Sequence, residues 1–531
     1  MPKTLKYWGW GYEGDGLDGD ATKALLGAFA DGAGIRPTDD GTFPALATID
    51  LPAARLSPPS SLSDICTSVA YERVLHAFGK SQPDSIRIYM GDCAHAPDIV
   101  AYPETEADIV ALYDWCGDAG AALIPFGGGS SVVGGVTSDV GSGFNGTVTA
   151  DLSRMNKVLE IDDLSRAARI QCGARGPDLE AQLKPSGLTL RHFPQSFEHS
   201  TFGGWIATRS AGHFATLYTH IDDLIENVTM VTPAGKIASR RLPGSGAGPS
   251  PDRFVMGSEG ALGIITEAWV RLQGRPTFKA TAGFRFSDFI AVARAVRAVS
   301  QAGLYPANVR IVDDIELKMN GVGDGSFTLM ILSFESSDHD IEPWMARAAQ
   351  CCHDHGGIVD VDWRGNPHSN EQGTVGAWRS AFIRMPYNRE QLTPRGIISD
   401  TFETSTTWNR FEQFYGSIRE ATVAAIRDAT GKGGAVSCRF SHAYPDGPVP
   451  YFAFHAEGRK SAMLEQWQAI KGAVSSAIIR EGGTITHHHA VGRDHQKYYE
   501  QQRPTLFGDV VSDAKRRLDP KHMLNPGVLV R

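Results

Sequence analysis

Three glycine-rich stretches, each set against a β-rich run, constrain this chain more than any other feature: IPFGGGSSVVGG at 124–135, SFEHSTFGGWIATRSAG at 196–212 and FVMGSEGALGIITEA at 254–268. A glycine cluster after a strand exposes successive backbone N–H groups where no Cβ blocks approach, and such a nest binds phosphate. Paired glycines beside small hydroxylic residues suit a flat cofactor lying against the backbone. The first stretch reads equally well as a tight turn and the other two, taken singly, more readily as plain loops, but three in one segment point to a dinucleotide. The first is not a Rossmann fingerprint, because GxGxxG opens a helix and the following VVGGVTSD offers none. It is not a Walker loop either, since the Lys-Ser/Thr pair is missing.

A chain of 531 residues, 42% hydrophobic, exceeds what one core holds, since cores stop growing near roughly 250–300 residues. Residues 1–90 read as an N-terminal arm with a helical segment, SDICTSVAYERVLHAFG, whose Ile65, Val69 and Leu75 share a face. Over 91–272 short β-rich runs alternate with helices, the pattern of an α+β domain carrying the glycine stretches. Over 273–480 the helices lengthen. The last of them sets Met463, Trp467, Ile470, Val474, Ala477 and Ile478 at steps of three and four. Residues 481–531 hold a short strand TIT, a histidine hairpin and a basic helix stopped by Asp519-Pro520. The net charge of −9, without long single-sign runs, carries no nucleic-acid footprint. Seven scattered cysteines outside any CxxC pair indicate neither disulfides nor a zinc ribbon and fit a reducing cytoplasm. No charged-then-apolar leader is read at the N-terminus, and no apolar run approaches the ~20 residues of a membrane span. The expectation is a cytoplasmic protein, either soluble or resting on a membrane surface.

The segment GGTITHHHAVGRDH places His487, His488 and His489 in a row. On an extended backbone side chains alternate faces, so only His487 and His489 would point the same way. Two imidazoles without a nearby carboxylate or thiolate make a poor zinc site, and no metal is expected. Arg493 and His495 are expected at the surface. CCHDHGG reads as a helix end, with His355 in the last turn, glycine as the stop, and Cys351 and Cys352 as buried thiols.

IPFGGGSSV, STFGGWIATRSAG, MGSEGALGIITEA and LDPKHMLNPG, in this order, resemble the FAD-binding domain of the vanillyl-alcohol-oxidase and p-cresol-methylhydroxylase type. Within that type WGWGY, FETSTTWNR and GGTITHHHAVG make the chain similar to the alkyldihydroxyacetone-phosphate synthases, or alkylglycerone-phosphate synthases, of ether lipid biosynthesis. The resemblance implies a two-subdomain FAD-binding domain with an α+β cap and a C-terminal segment returning to the flavin domain. It places cofactor contacts on Pro125, Gly127, Gly128, Gly129, Ser130, Ser131 and Val132. Further contacts fall on Ser196, Ser200, Thr201, Gly203, Gly204, Thr208, Ser210 and Ala211, and on Glu259, Gly260, Leu262, Gly263 and Ile265. It places substrate-phosphate arginines at Arg384 of AFIRMPY and Arg310 of ANVRIVD. The catalytic group it implies is Tyr451 of GPVPYFAF with His487, His488 and His489. A register shifted by two residues would instead put Val449 at the tyrosine position. Two departures stand out: the short GVGDGSF where the synthases carry a long insertion, and Ala490 where they usually have glycine.

The implied reaction is redox-neutral: a fatty acid leaves acyl-dihydroxyacetone phosphate and a fatty alcohol takes its place, with a proton leaving and returning at the carbon that bears the ester. A phenol tuned by histidines suits the proton, and arginine's planar fork suits the phosphate. The FAD is expected to be non-covalent, since no histidine or cysteine in the glycine loops matches an attachment position. The rival reading is an FAD-linked oxidase or dehydrogenase of a 2-hydroxy acid or other small alcohol. The partner is a small-molecule or lipid substrate. Peripheral membrane contact and a homodimer stay open, and a non-catalytic flavin carrier remains a third class.

Overall fold

The computed structural model describes residues 3–366 and 368–530. A small sheet runs in the order Cys66–Thr67, Ile99–Ala101, Thr147–Asp151 and Ala122–Phe126. Its last three strands run parallel and are buried almost throughout, as strands covered on both faces are. The helix Glu106–Ala119 covers it. A Thr105–Asp108 capping box starts this helix, left-handed Gly120 ends it, and Ile109, Leu112 and Cys116 face inward. A second, five-stranded antiparallel sheet runs Val158–Asp162, Ala167–Gln171, Ile264–Arg271, Ile225–Thr232, Gly235–Ala238. The first glycine stretch follows Ala122–Phe126, and the third leads into Ile264–Arg271.

The chain then builds a seven-stranded antiparallel sheet: Ile358–Val361, Phe278–Phe286, Thr328–Ser336, Asn308–Val312, Gly434–Ala443, Pro448–Glu457, Ile397–Glu403. Period-two alternation splits its side chains. Val309, Ile311, Val436, Phe440, Phe452 and Phe454 enter the main core under the helices Phe289–Gln301, Glu342–Asp354, Trp408–Thr430 and Met463–Arg480. Ser437, Arg439, Ser441, Tyr451, His455 and Arg310 line a cavity on the other side. All six stripe residues of the helix Met463–Arg480 are buried, as its spacing predicts.

Local readings differ from the expectation in two places. SDICTSVAYERVLHAFG is not one helix: it breaks into a 3₁₀ turn Ser60–Ile65, the strand Cys66–Thr67 that pairs with Ile99–Ala101, and a short helix Ala70–Leu75, leaving Val69 59% exposed. Pairing to a sheet edge overrides the helical period. TIT forms no strand. Thr484 N–H donates to Ser405 O and Ile485 N–H to the Gln502 side chain, so the segment is held by neighbours on either side. The CCHDHGG reading fits the structure. The helix Glu342–Asp354 ends at His355, His353 Nδ1 and His355 Nδ1 lie 2.9 Å from the carbonyls of Gly357 and Cys351, and both thiols are buried.

The two chain ends lock the halves together. Glu390 of the helix Gly373–Leu392 accepts from Lys6 Nζ and Trp10 N–H, each at 2.7 Å, and Phe29 of the helix Gly19–Ala33 packs with Met319 and Leu392. At the other end Leu524 lies alongside Leu123 as a parallel bridge. Lys515 Nζ ties the closing turn by donating to Asp519 and to the carbonyls of Ala261 and Leu524. Among the described residues no helix is long and apolar enough to cross a membrane.

Candidate active site

A cavity of about 320 Å³ lies between the first two glycine stretches and the polar face of the seven-stranded sheet, with Trp10 and Phe29 from the N-terminal arm in its wall. The flavin-domain side is backbone-rich. Gly127 through Val132 line it, together with Ser196, Ser200, Thr201, Gly204, Thr208, Ser210 and Ala211. Close approach explains the glycines. A Cβ on Gly128 would lie 1.8 Å from His199 O, so the loop can lie against the second stretch only without a side chain there. At Gly204 a Cβ would meet only Thr201 Oγ1, which leaves a flat, unobstructed surface for a planar ring. Local hydrogen bonds hold the hydroxyls in place: Thr201 Oγ1 accepts from Gly204 N–H, Trp205 Nε1 donates to Ser200 Oγ at 2.7 Å, and Ser210 Oγ lies 2.9 Å from His192 Nε2.

The cap wall carries the cations. Arg310 is buried with Nε unpartnered and its guanidinium 4.2 Å from the Phe382 ring centre; burial, then neighbouring Arg439, brings it down to about 9. Arg439 lies over the Tyr451 ring at 4.0 Å and pairs with Glu316. Burial alone would depress its guanidinium, but Glu316 and Tyr451 outweigh that and raise it. Burial likewise raises the Tyr451 phenol, against Arg439 and the 3.1 Å bond its hydroxyl donates to Thr401 Oγ1. A bulge between Phe440 and His442 sets the strand register, opposing Arg439 to Tyr451 and His442 to Val449. Tyr451 therefore faces the cavity, while Val449 is fully buried outside its lining.

The histidine segment is organised by a carboxylate. Glu403, 0% exposed, accepts from Thr486 Oγ1 and His487 N–H at 2.6 Å, His489 N–H at 3.0 Å and His488 N–H at 3.2 Å. Burial by itself would raise this carboxyl, but the His489 and His487 imidazoles, the Thr486 hydroxyl and the backbone donors bring it down to about 2. The three imidazoles are lowered in turn, first by burial, and for His487 and His488 by adjacent histidines. Each is thereby harder to protonate than a free imidazole, with the Glu403 charge working against that effect at His487 and His489. His488 and His489 line the cavity, with rings 6.1 and 5.4 Å from that of Tyr451. His487 turns away to Tyr444, whose hydroxyl lies 3.0 Å from its Nε2.

Several expectations are corrected. Arg384 is exposed and absent from the cavity wall. Phe382, Met385, Pro386 and Arg389 share the inward face of the helix Gly373–Leu392 at spacings of three, four and seven, and Arg384 falls between them. Arg389 lines the cavity instead, held by Asp400 Oδ1 at 3.0 Å and Lys80 O at 2.5 Å. The third glycine stretch does not line the cavity either. Gly260, at φ +75°, packs on Pro125 and Gly263 on Met230, while Leu262 and Ile265 belong to the core and Gly203 backs onto Cys172. Glu259 supports the loop from behind, accepting from Val491 and Gly492 N–H at 2.8 Å; burial raises it to about 7. Arg493 and His495 are not surface residues. Arg493 donates to Pro526 and Thr137 carbonyls, and His495 is buried against Ala490 O.

Residues that sequence reasoning passed over complete the site: Arg389, Arg439, His442, His213, Trp10, Glu403 and Gln195. Gln195 fills a gap the sequence announces. Pro386 has no N–H for the Phe382 carbonyl one turn back, and Gln195 Nε2 donates to that carbonyl across the domain boundary at 3.2 Å. Glu403 sits inside FETSTTWNR, but nothing local reveals its partner 84 residues on.

The chain matches the family described as FAD binding domain over residues 97–239 and the one described as FAD linked oxidases, C-terminal domain, over 275–529. It is 29% identical to an alkyldihydroxyacetonephosphate synthase of Dictyostelium discoideum, over 86% of this chain and 77% of that one. To the glycolate oxidase subunit GlcD of Bacillus subtilis it is 26% identical, over 81% and 88%. Among solved structures, a crystal of alkyldihydroxyacetonephosphate synthase matches with a TM-score of 0.81 at 25% identity, covering 98% of each chain. p-Cresol methylhydroxylase, at 14% identity and TM-score 0.69 over 88% and 94%, shares the fold.

Proposed function

We propose, from the premise that the chain belongs to the FAD-linked flavoproteins matched in both of its domains, that it is an alkylglycerone-phosphate synthase-like enzyme exchanging the acyl group of acyl-dihydroxyacetone phosphate for a fatty alcohol. The observation that carries this reading is one wall holding a buried phenol, two neutral imidazoles and three guanidinium groups: Tyr451, His488, His489, Arg310, Arg389 and Arg439. A 2-hydroxy acid needs one cation for its carboxylate, whereas a phosphate dianion draws several, arginine forks best.

Bound FAD would supply the electron-rich ring needed to exchange one oxygen substituent for another at the substrate carbon. The chain's residues do the rest. Gly127–Ser131 and Gly204 seat the cofactor without side-chain interference, and its attachment is non-covalent. Arg310, with a free Nε, and Arg389, fixed by Asp400, orient the phosphate. Tyr451, a protonated phenol at neutral pH because burial raises it, first passes its hydroxyl hydrogen to His489 or His488; as the phenolate that Arg439 favours it then takes the proton from the carbon and returns it. Glu403 keeps the histidine backbone fixed meanwhile. For water-insoluble substrates the contact with a membrane is peripheral, and Leu506, Phe507 and Val510, exposed together on the helix Thr505–Leu518, are its nearest support.

The test is label exchange: radiolabelled fatty alcohol incorporated into an acyl-dihydroxyacetone phosphate with no electron acceptor consumed. Bleaching of the flavin by lactate or glycolate, with no exchange, would replace this reading by the dehydrogenase. Flavin remaining in the acid pellet would overturn non-covalent attachment.

A further inference from the structure

His442, on the strand Gly434–Ala443, brings a third imidazole to the histidine segment, so that one ring nitrogen from each of His442, His487 and His488 lies within 4.8 Å of the other two. The sequence argument against a metal rested on alternation along an extended strand and on the lack of another ligand. Neither holds in the fold. The segment is irregular, so consecutive His487 and His488 converge, with Nδ1 atoms 3.0 Å apart, and the third ligand comes from 45 residues upstream.

The outer contacts are those a ligating histidine needs. His442 Nε2 lies 3.0 Å from Gly212 O; a carbonyl only accepts, so Nε2 carries the hydrogen and Nδ1 keeps a lone pair, which accepts from the Ser441 hydroxyl 3.1 Å away until an ion displaces that hydrogen. His487 Nε2 lies 3.0 Å from the Tyr444 hydroxyl, which fixes that ring while Nδ1 points to His488. Such second contacts set tautomer and ring direction in metal sites. In the metal-free protein one of the facing Nδ1 atoms carries the shared hydrogen, and ligation requires only that it move to Nε2 of the same ring. Glu403, saturated by backbone donors and 3.5 Å from His488 Nδ1, supplies negative charge next to the cluster. Three imidazoles at about 2.0–2.1 Å with a fourth position open is a coordination set that Zn²⁺ accepts. Adjustment of the side chains by about an ångström reaches it.

We propose that His442, His487 and His488 bind one Zn²⁺ or a similar borderline divalent ion, and that this ion inhibits the enzyme. Binding stands on the cluster alone. Inhibition rests on the proposed function, because the ion draws His488 from its place beside Tyr451 and occupies a lone pair the proton transfer uses.

FAD-loaded protein, stripped with EDTA and desalted, is titrated with Zn²⁺ and, as a spectroscopic probe, Co²⁺. The expected result is one ion per chain and visible Co²⁺ ligand-field bands of tetrahedral intensity. Affinity should fall at least tenfold in His442→Gln and in His487→Gln and stay unchanged in His339→Gln. Zinc-edge absorption on the wild-type protein counts three imidazole ligands without recourse to any variant, which covers the case of a variant that fails to fold. Label exchange should be lost at the same Zn²⁺ concentration that fills the site and return with EDTA. Absence of stoichiometric binding, or binding indifferent to both substitutions, overturns the site. Stoichiometric binding with unimpaired exchange overturns the inhibition. Because binding is read without turnover, an enzyme that never exchanges label refutes the proposed reaction and leaves the metal site standing.

Discussion

Replacing Glu403 by glutamine tests what organises the histidine segment. Three hydrogen bonds converge on Oε1, from Thr486 Oγ1, His488 N–H and His489 N–H, and one on Oε2, from His487 N–H. Glutamine keeps an oxygen for the first three but sets an NH₂ against the His487 N–H. A hydrogen bond to a charged group contributes about 1.5–3 kcal/mol, and a buried donor left unpaired costs about 1–3. The remaining three bonds also weaken as the charge disappears. Local opening of the segment should therefore become easier by about 3 kcal/mol, and hydrogen-exchange protection of the amides of 487–489 should fall roughly 100-fold. Mass-resolved exchange on a peptide spanning 484–492 reads this directly and does not require a large multidomain chain to unfold in one step. Label exchange should fall at least tenfold in the same variant, with FAD retained, since Glu403 touches neither glycine stretch. Protection within threefold of wild type would falsify the idea that this carboxylate holds the segment.

Other expectations are narrower. Arg389→Ala should raise KM for the phosphate substrate by 10- to 100-fold, the equivalent of one charge-assisted contact of about 1.5–3 kcal/mol, while exposed Arg384→Ala should change it less than twofold; equal effects would restore Arg384 to the site. Ala490 adopts φ +75°, where a side chain costs about 1–2 kcal/mol, but glycine there frees the unfolded chain by about 0.4–1 kcal/mol and loses a buried methyl worth about 0.8. Ala490→Gly should thus leave the urea midpoint nearly unchanged and Ala490→Val should lower it clearly. Stability should also depend on pH through Glu259. Its folded value is raised from 4.5 to about 7, so its contribution is full below pH 4.5 and lost as pH rises to 7, by about 3 kcal/mol. Glu259→Gln should lose less stability than wild type between pH 4.5 and 8. Buried His192 and His455, pushed by burial to about 3 and about 4, act oppositely and destabilise both proteins as pH falls below 6.5.

The sequence by itself determined whatever depends on chain neighbours. Glycine stretches beside β-rich runs marked the cofactor loops, and two of the three reach the cavity because a backbone without Cβ atoms must sit where ring and backbone meet. Steps of three and four marked the buried stripe of the helix Met463–Arg480, and the helix end at His355 and Gly356 followed from the same local chemistry. A period-two strand shows which residues share a face, but not which of two registers faces the site. The bulge between Phe440 and His442, across from Pro450 and Val449, decided that. Arg384 and Arg389 are equally arginines on one helix, and only the packed side of that helix separates them. Tertiary structure alone decided the histidines' surroundings. Glu403 comes from the strand edge 84 residues earlier and His442 from the next strand but one. Each joins the segment through the closure of a sheet, a long-range event that leaves no periodic trace along the chain.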